Sequence, residues 1–289
     1  MKKTKVLILG ASGLIGHQVY WHLKSVGKYE VNAVSKTRKV DSPSILLDVL
    51  KKNNLKSCLE NIQPDIVINC IGALINASEA HPEMAYKLNA ELPHALSRLS
   101  KELNFRLVHI STDCVFSGKL NTPYKETDMP DGTSTYSGTK AKGEEIKDEH
   151  LVIRTSVIGP ELSNRAEELF NWFMLQDHQI EGYQTSIWSG VTTAILARSI
   201  ENLMCQDLKG IYHVTNNSFI SKYHLLELLK YETKKDISII PVDKNDSNKA
   251  FEDTRLKLGF TIPSYEQMVT EMVESIRANH ARYSFYNLK

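Results

Sequence analysis

The sequence predicts an α/β protein built on a doubly wound parallel sheet, with a smaller mixed domain in its C-terminal half. Short apolar strands alternate with amphipathic helices, and the first strand runs directly into a glycine turn and a helix. The pattern changes after Pro160. We therefore expect residues 1–160 to form the first domain, with segments near 185–215 returning to it, and residues 161–289 to form mainly the second.

Composition and charge argue against several classes of protein. The chain has 35 Lys and Arg against 34 Asp and Glu, so no basic field favours nucleic acid as a partner. No apolar run approaches the roughly 18 residues of a membrane span. The 4 cysteines include no Cys-x-x-Cys pair, and the histidines show no metal spacing. We expect a cytoplasmic protein with free thiols and no metal, membrane or nucleic acid partner.

The first strand ends in a turn that holds Gly10, Gly13 and Gly16. A strand, a glycine turn and a helix in this order form the context in which such a turn binds a dinucleotide. The backbone can approach a pyrophosphate closely, and the first N–H groups of the helix point at it. The expected contacts are Gly10, Ser12, Gly13, Leu14, Ile15 and Gly16. The alternative is an ordinary strand–helix turn that happens to hold three glycines.

The second strand ends without an acidic residue. Dinucleotide folds that prefer NAD place Asp or Glu there to bind the ribose hydroxyls, whereas this chain has Ser35, Lys36 and Arg38. Cations and hydroxyls would hold a 2′-phosphate that an acid would repel. We therefore expect these three residues to bind NADPH, with NADH as the alternative cofactor. A solvated basic loop without a ligand is the other interpretation.

A polar helix in the middle of the chain carries Tyr136 and Lys140, one turn apart on the same face. A free tyrosine has a pKa of about 10, too high for easy proton exchange at neutral pH. We expect the Lys140 ammonium to lower the pKa of Tyr136, which would then act as a general acid. Such a pair also occurs by chance on surface helices. Here it follows a strand that ends in Ser111 and Thr112, where parallel sheets bind ligands.

These motifs together resemble a known family. The glycine spacing is similar to that of the extended short-chain dehydrogenase/reductase superfamily. The residues that resemble its dTDP-4-dehydrorhamnose reductases and related sugar-nucleotide reductases are Gly10-x-x-Gly13-x-x-Gly16, Ser111-Thr112-Asp113-x-Val115-Phe116, Tyr136-x-x-x-Lys140 and Arg154-Thr-Ser-Val-Ile-Gly159. The resemblance implies NADPH-dependent reduction of a 4-keto group on a nucleoside-diphosphate sugar. Tyr136 would be the general acid, Lys140 its activator, and Thr112 the hydroxyl that holds the substrate oxygen.

The resemblance also implies further contacts. Asp48 and Val49 would lie near the adenine, although Asp48 is equally suited to capping the next helix. Asn89 matches an asparagine that bonds backbone near the active site; as a lone polar residue it would be placed on a surface or at a helix bend. The other cofactor contacts would be Cys70, Gly72, Ala73, Tyr136 and Lys140. The substrate contacts would be Leu74, Thr112, Cys114, Val115, Phe116 and Trp188, the last being equally suited to packing.

Two other functions stay open at the level of the sequence. One is an epimerase or dehydratase of the same superfamily that retains NAD. Dehydratases place an Asp-Glu pair after the strand-five threonine, whereas this chain has Asp113 and Cys114. The other is a non-catalytic regulatory subunit of the methionine adenosyltransferase type. The nucleotide (dTDP, UDP or GDP), the sugar, the stereochemistry and the oligomeric state also stay open; relatives often form homodimers through helices equivalent to 82–103 and 136–149.

Overall fold

The computed structural model describes residues 2–51, 53–120, 122–163, 168–244, 247–255 and 258–288. The strands within these ranges are β1 (Thr4–Leu9), β2 (Tyr29–Ser35), β3 (Ile45–Leu46), β4 (Ile66–Asn69), β5 (Arg106–Ile110), β6 (Leu151–Arg154), β7 (Val157–Ile158), β8 (Gln179–Tyr183), β9 (Ser186–Trp188), β10 (Val191–Thr192), β11 (Gly210–His213), β12 (Ile220–Ser221), β13 (Ser238–Val242) and β14 (Ser247–Asn248).

The α-helices are α1 (Leu14–Val26), α2 (Asn54–Ile62), α3 (Ile75–Ala80), α4 (Pro82–Tyr86), α5 (Leu92–Leu103), α6 (Thr135–Gly143), α7 (Leu169–Leu175), α8 (Thr193–Met204), α9 (Lys222–Thr233) and α10 (Tyr265–Ala278). A π-helical turn, Lys87–Glu91, separates α4 from α5, and 3₁₀ turns cover Asp113–Val115 and Glu144–Asp148. No helix in the described ranges is both long and apolar enough to cross a membrane.

The sequence predicts one helix over 82–103, and the chain is helical throughout this range, with the π-helical turn Lys87–Glu91 inside it. The apolar residues of the segment 161–177 predict one amphipathic helix, whereas α7 is the only helix among the described residues of that segment, from which 164–167 are excluded. The Ser264 side chain caps α10 by accepting a hydrogen bond from the Gln267 amide, while the Gln267 side chain donates to Glu271.

The main sheet of the described chain has seven parallel strands in the order β11-β6-β5-β4-β1-β2-β3. Strand β1 pairs with β2 on one side and with β4 on the other. The chain therefore adds β2 and β3 on one side of β1, and then adds β4, β5, β6 and β11 on its other side. That reversal creates a crevice at the carboxyl ends of β1 and β4, which is where doubly wound sheets bind ligands. The predicted fold class is confirmed.

Helices cover both faces of the main sheet. Val6 and Ile8 of β1 belong to a buried cluster that includes residues of α1 and α8. Leu7 and Leu9 belong to a second cluster, with residues of α2 and α5. All four side chains are fully buried, which explains why β1 is a continuous apolar run and not an alternating one.

The C-terminal half adds small sheets to this frame. Among the described residues, β7 pairs with β10, β8 pairs with β13, and β9 lies between β12 and β14. The β9–β12 pair is antiparallel and the β9–β14 pair is parallel, so this part is mixed, as predicted. Strand β11 returns to the main sheet beside β6. The exact division at residues 160 and 161 stays a prediction.

Candidate active site

The glycine turn between β1 and α1 is shaped by close backbone contact. Gly10 has a φ of 78°, in the left-handed region that favours glycine. A Cβ atom on Gly16 would lie 2.2 Å from the Gly10 carbonyl oxygen, so a larger residue cannot occupy this position without a shift of the helix. Gly13 is the N-cap residue of α1 and supplies no side-chain cap. The first N–H groups of α1 therefore face the turn, in the arrangement that binds an anion.

Polar contacts within the chain hold the basic loop after β2. Lys36 Nζ lies 3.0 Å from the Asp48 carboxylate, and Arg38 donates a hydrogen bond to the Leu162 carbonyl. The Ser35 hydroxyl is buried and has no hydrogen-bond partner among the described residues. The structure thus brings two cations and an unpaired hydroxyl to the carboxyl end of β2.

Asp48 does not cap the following helix. Helix α2 begins at Asn54, and the Asp48 carboxylate instead accepts a hydrogen bond of 3.1 Å from the Leu50 amide. The bond from Lys36 is the main cause that holds the pKa of Asp48 below its usual value. The helix-cap alternative is therefore wrong, because Asp48 closes a tight turn ahead of the helix. Val49 is half-buried next to it and packs against the core.

Asn89 supports the loop that follows β4. The side chain is fully buried in the π-helical turn. Its Oδ1 accepts from the Ala73 amide at 2.8 Å, and its Nδ2 donates to the Ala73 carbonyl and to Thr139 Oγ1, both at 3.1 Å. A Cβ atom on Gly72 would lie 3.3 Å from Asn89 Oδ1, so a small residue fits this packing. Asn89 positions the loop and joins it to α6, since both of its polar atoms already bond the chain.

Cys70 and Leu74 lie on either side of Gly72 and Ala73. Burial raises the pKa of the Cys70 thiol to about 12, so this thiol stays protonated at neutral pH. Leu74 precedes α3 and is exposed. The loop therefore presents small or neutral groups toward the crevice.

Thr112 and Tyr136 meet beyond the carboxyl end of β5. The Thr112 hydroxyl lies close enough to the Tyr136 hydroxyl to lower the pKa of Tyr136, although burial outweighs that effect. Thr112 Oγ1 also accepts from the Cys114 amide and donates to Asp113 Oδ1, each at 3.1 Å. These bonds fix the Thr112 side chain, which leads the 3₁₀ turn that follows β5.

The predicted effect of Lys140 on the acidity of Tyr136 is wrong for this structure. Burial raises the pKa of Tyr136, and the neighbouring Cys114 thiol adds to the increase. Lys140 Nζ donates a hydrogen bond of 2.7 Å to the Ile110 carbonyl, which directs the ammonium toward the backbone of β5. Burial lowers the pKa of Lys140 itself to about 8, with the Glu144 carboxylate acting in the opposite direction. Tyr136 is therefore held in its protonated form.

A buried ion pair beneath Lys140 was missed by the sequence interpretation. Glu144 accepts hydrogen bonds from Arg154 Nε at 2.9 Å and Arg154 Nη2 at 2.7 Å, and from the Ser111 hydroxyl at 2.6 Å. The Glu144 and Arg154 side chains are 3% and 1% exposed, so this carboxylate supplies a negative charge inside the protein. No local pattern marks this pair, because Glu144 begins the 3₁₀ turn after α6 and Arg154 ends β6.

Two of the predicted substrate contacts do not line the crevice. The side chains of Val115 and Phe116 are fully buried in a small apolar cluster. The Phe116 ring stacks on Tyr124 with a centroid distance of 3.9 Å. The prediction is corrected for a geometric reason: the 3₁₀ turn after Thr112 directs the following side chains inward. Their contact with a ligand would be limited to the backbone.

Cys114, in contrast, is half-buried beside the Thr112–Tyr136 pair. Lys249 Nζ lies 3.7 Å from Cys114 Sγ, so a cation reaches the same end of the crevice. Burial raises the pKa of the Cys114 thiol to about 12. Sequence interpretation missed Lys249, because more than a hundred residues separate the two and no local pattern marks the contact.

Trp188 combines packing with a polar contact. Its indole Nε1 donates to Ser156 Oγ at 2.8 Å, and its ring lies 5.7 Å from that of Tyr265. Only 8% of the residue is exposed, so these contacts account for most of its surface. Among the residues that the structure describes, no group of three His, Cys, Asp or Glu side chains is placed to hold a metal ion.

The parallel sheet, the glycine turn and the Thr112–Tyr136–Lys140 set define the class of protein, an extended short-chain dehydrogenase/reductase. Within that class, the chain belongs to the family described as RmlD substrate binding domain, whose model matches residues 4–278. The predicted family is confirmed.

Three similar proteins illustrate the range of this family. The spore coat polysaccharide biosynthesis protein SpsK of Bacillus subtilis (strain 168) is 30% identical over 245 residues, which cover 83% of each chain. The methionine adenosyltransferase 2 subunit beta of Bos taurus is 26% identical over 243 residues, covering 76% of this chain and 70% of that protein. The crystal structure of dTDP-4-dehydrorhamnose reductase from Bacillus anthracis in complex with NADP has a TM-score of 0.82 and 25% identity, covering 95% of this chain and 99% of the other.

Proposed function

We propose that the protein uses NADPH to reduce the 4-keto group of a nucleoside-diphosphate sugar that is built into a surface polysaccharide. The broader class, an NADP(H)-dependent oxidoreductase acting on nucleotide sugars, agrees with the relatives. The Bacillus anthracis reductase binds NADP, and the Bacillus subtilis relative is named for polysaccharide biosynthesis. The observation that carries the finer proposal is the neighbouring pair of Thr112 and Tyr136 hydroxyls, with Lys140 one helical turn away.

The residues present fit a dinucleotide. The close contact at Gly16 holds the start of α1 against the turn, where its first N–H groups would bind a pyrophosphate. Ser35, Lys36 and Arg38 would hold the 2′-phosphate of NADPH. The Lys36 side chain is 63% exposed, so it is accessible to a phosphate despite its ion pair with Asp48. We further propose that residues 161–289 mainly bind the sugar nucleotide, where Lys249 supplies a cation near Cys114.

The chain would act on the substrate through two hydroxyl groups. When bound, the nicotinamide supplies hydride to the carbonyl carbon. Thr112 would turn its one hydroxyl hydrogen from Asp113 Oδ1 to the carbonyl oxygen, and Tyr136 transfers its hydroxyl proton to the same oxygen as negative charge develops there. The raised pKa keeps Tyr136 protonated before reaction, as a proton donor requires. Lys140 remains largely charged at neutral pH and would bind the cofactor, and solvent returns the proton to Tyr136.

A second candidate function is that of a non-catalytic subunit. The similarity to methionine adenosyltransferase 2 subunit beta favours it, at 26% identity. The intact set of Thr112, Tyr136 and Lys140 favours catalysis. An NAD-retaining dehydratase is less well supported, because Cys114 stands where dehydratases need a second carboxylate.

The cofactor is tested by titrating the purified protein with NADPH and NADH while following nicotinamide fluorescence. We expect NADPH to bind at least about tenfold more tightly, since each charge-assisted hydrogen bond contributes roughly 1.5–3 kcal/mol. The double variant Lys36→Ala/Arg38→Ala should lose this preference. Lys39→Ala is the matched control, because it removes a neighbouring exposed cation that bonds only the Ser42 carbonyl among the described residues. Protein that arrives with NAD and ignores NADPH would favour an epimerase or dehydratase.

Turnover is tested with dTDP-, UDP- and GDP-linked 4-keto sugars by following NADPH oxidation. Tyr136→Phe should lower kcat by about 10² to 10⁴, the usual contribution of a positioned general acid. The circular dichroism spectrum of the variant is the control for folding. If the wild-type protein reduces none of the sugars and instead copurifies with a methionine adenosyltransferase, the subunit function replaces the reductase.

A further inference from the structure

The segment that follows α10 lies against the first helix of the dinucleotide-binding sheet. Tyr283 is 3% exposed, and its ring meets the His17 ring at a centroid distance of 5.9 Å. The neighbouring Arg282 guanidinium lies 3.8 Å from the centroid of the Trp21 ring on α1. Residues from the two ends of the chain therefore share one buried contact beside the glycine turn.

Hydrogen bonds connect Tyr283 to that turn through His17. His17 Nδ1 lies 2.8 Å from the Gly13 carbonyl oxygen, and His17 Nε2 lies 3.0 Å from the Tyr283 hydroxyl. Gln18 Nε2 donates to the Tyr283 oxygen at 2.8 Å. A carbonyl only accepts, so His17 Nδ1 carries the hydrogen, and in the neutral ring Nε2 accepts from Tyr283. Burial lowers the pKa of His17 to about 4, which keeps the ring neutral at physiological pH.

The direction of the Gly13 carbonyl matters for the anion site. The Gly13 carbonyl and the Leu14 N–H belong to one planar trans peptide and point in opposite directions. Holding the carbonyl toward His17 therefore aims the Leu14 N–H away from it, toward the mouth of the turn. Gly13 is exposed, and its carbonyl also accepts the first backbone hydrogen bond of α1, from the His17 N–H at 3.2 Å. His17 therefore holds this carbonyl through both its backbone and its ring.

We propose that Tyr283 is a positioning residue of the dinucleotide site, acting through His17 to fix the Gly13–Leu14 peptide for the pyrophosphate. The segment that follows α10 then supports the dinucleotide site at the turn between β1 and α1. This inference rests on the proposed function, since it requires a dinucleotide at the glycine turn.

Tyr286 provides a matched control in the same segment. It is 2% exposed, and its hydroxyl accepts a hydrogen bond of 3.0 Å from the Glu161 amide. Tyr283→Phe and Tyr286→Phe each remove one buried hydroxyl, but only the first removes a bond in the chain that leads to Gly13. Loss of general stability should therefore be similar for the two variants, whereas the effect on dinucleotide binding should differ.

The test measures the Kd for NADPH by nicotinamide fluorescence for the wild type and both variants. We expect Tyr283→Phe to raise the Kd about threefold to tenfold, corresponding to one uncharged hydrogen bond. Its kcat at saturating NADPH should stay within about twofold of the wild-type value, because a positioned peptide changes binding and not proton transfer. Tyr286→Phe should leave the Kd unchanged. In a His17→Ala background, Tyr283→Phe should have no further effect on the Kd.

Each other result has a distinct meaning. Equal Kd values for the wild type and Tyr283→Phe would overturn the inference and leave the proposed function intact. Equal weakening by Tyr283→Phe and Tyr286→Phe would reduce Tyr283 to a structural residue and would also overturn it. A wild-type protein that binds neither NADPH nor NADH would instead overturn the proposed function.

Discussion

The two halves of the candidate site are held in place by different physical means. The glycine turn depends on backbone geometry: Gly10 adopts a positive φ, and Gly16 lies where even a Cβ atom would collide. The Tyr136–Lys140 half depends on charge, because Lys140 is buried above the Glu144–Arg154 ion pair. An added methyl group should therefore disrupt the glycine turn. Removal of a buried charge should disrupt the Tyr136–Lys140 half.

The largest effect is expected from Glu144→Gln, which tests the electrostatic half. The variant keeps the size of the side chain but leaves the Arg154 charge unbalanced in a buried position. Removing one partner of such a pair costs about 3–5 kcal/mol in the free energy of unfolding. Urea unfolding followed by circular dichroism measures this cost.

Glu145→Gln is the matched control for that variant. The adjacent Glu145 is 53% exposed and pairs with Lys142, an exposed contact at 2.8 Å. Such a surface pair contributes about 0–1 kcal/mol, so the control should be close to the wild type. Equal stability of both variants would show that the buried pair does not hold this half of the site, and the contrast between the halves would fail.

A second, smaller effect is expected from Gly16→Ala, which tests the steric half. The new Cβ atom would lie 2.2 Å from the Gly10 carbonyl oxygen, so α1 must shift away from β1 and the N–H groups must move with it. We expect NADPH affinity to fall by about a hundredfold, roughly 2.7 kcal/mol, in a fluorescence titration.

Gly138→Ala provides the control, because a Cβ atom there would meet no other atom within 4 Å. Gly138 also lies inside α6, where alanine is the better helix former by roughly 0.5–1 kcal/mol. NADPH affinity of this variant should match that of the wild type. If Gly16→Ala binds equally well, the turn tolerates a side chain and steric constraint does not define it.

The same contrast explains what the sequence could predict. The constraints on Gly10, Gly13 and Gly16 are local, so the turn follows from the spacing of the glycines between a strand and a helix. Tyr136 and Lys140 were found in the same way, because they are one helical turn apart. The pKa of Tyr136 was predicted in the wrong direction, since it depends on how deeply the fold buries the hydroxyl and where Lys140 finds an acceptor.

Contacts between segments that are separated along the chain could not be predicted, because they too depend on how the chain folds. Arg154 was quoted as part of a motif, but its partner Glu144 becomes visible only when β6 lies beside the helix that follows Lys140. Val115 and Phe116 belong to a family motif, and motif membership does not reveal whether a side chain points into a crevice or into the core. The fold class could be predicted from the sequence, whereas the inward direction of the side chains that follow Thr112 could not.

The smallest effect is a dependence of stability on alkaline pH that arises in the electrostatic half. Burial lowers the pKa of Lys140 to about 8, whereas an unfolded lysine has a pKa of about 10.4. Between these values the unfolded chain binds more protons, so the contribution of Lys140 to stability rises with pH and is constant below about pH 8. Urea unfolding of the wild type and Lys140→Met at about pH 7.5, 8.5 and 9.5 measures this, and the difference should shift in favour of the wild type as pH rises. A difference that stays constant would mean that Lys140 keeps an ordinary pKa and that this half of the site is better solvated than its burial indicates.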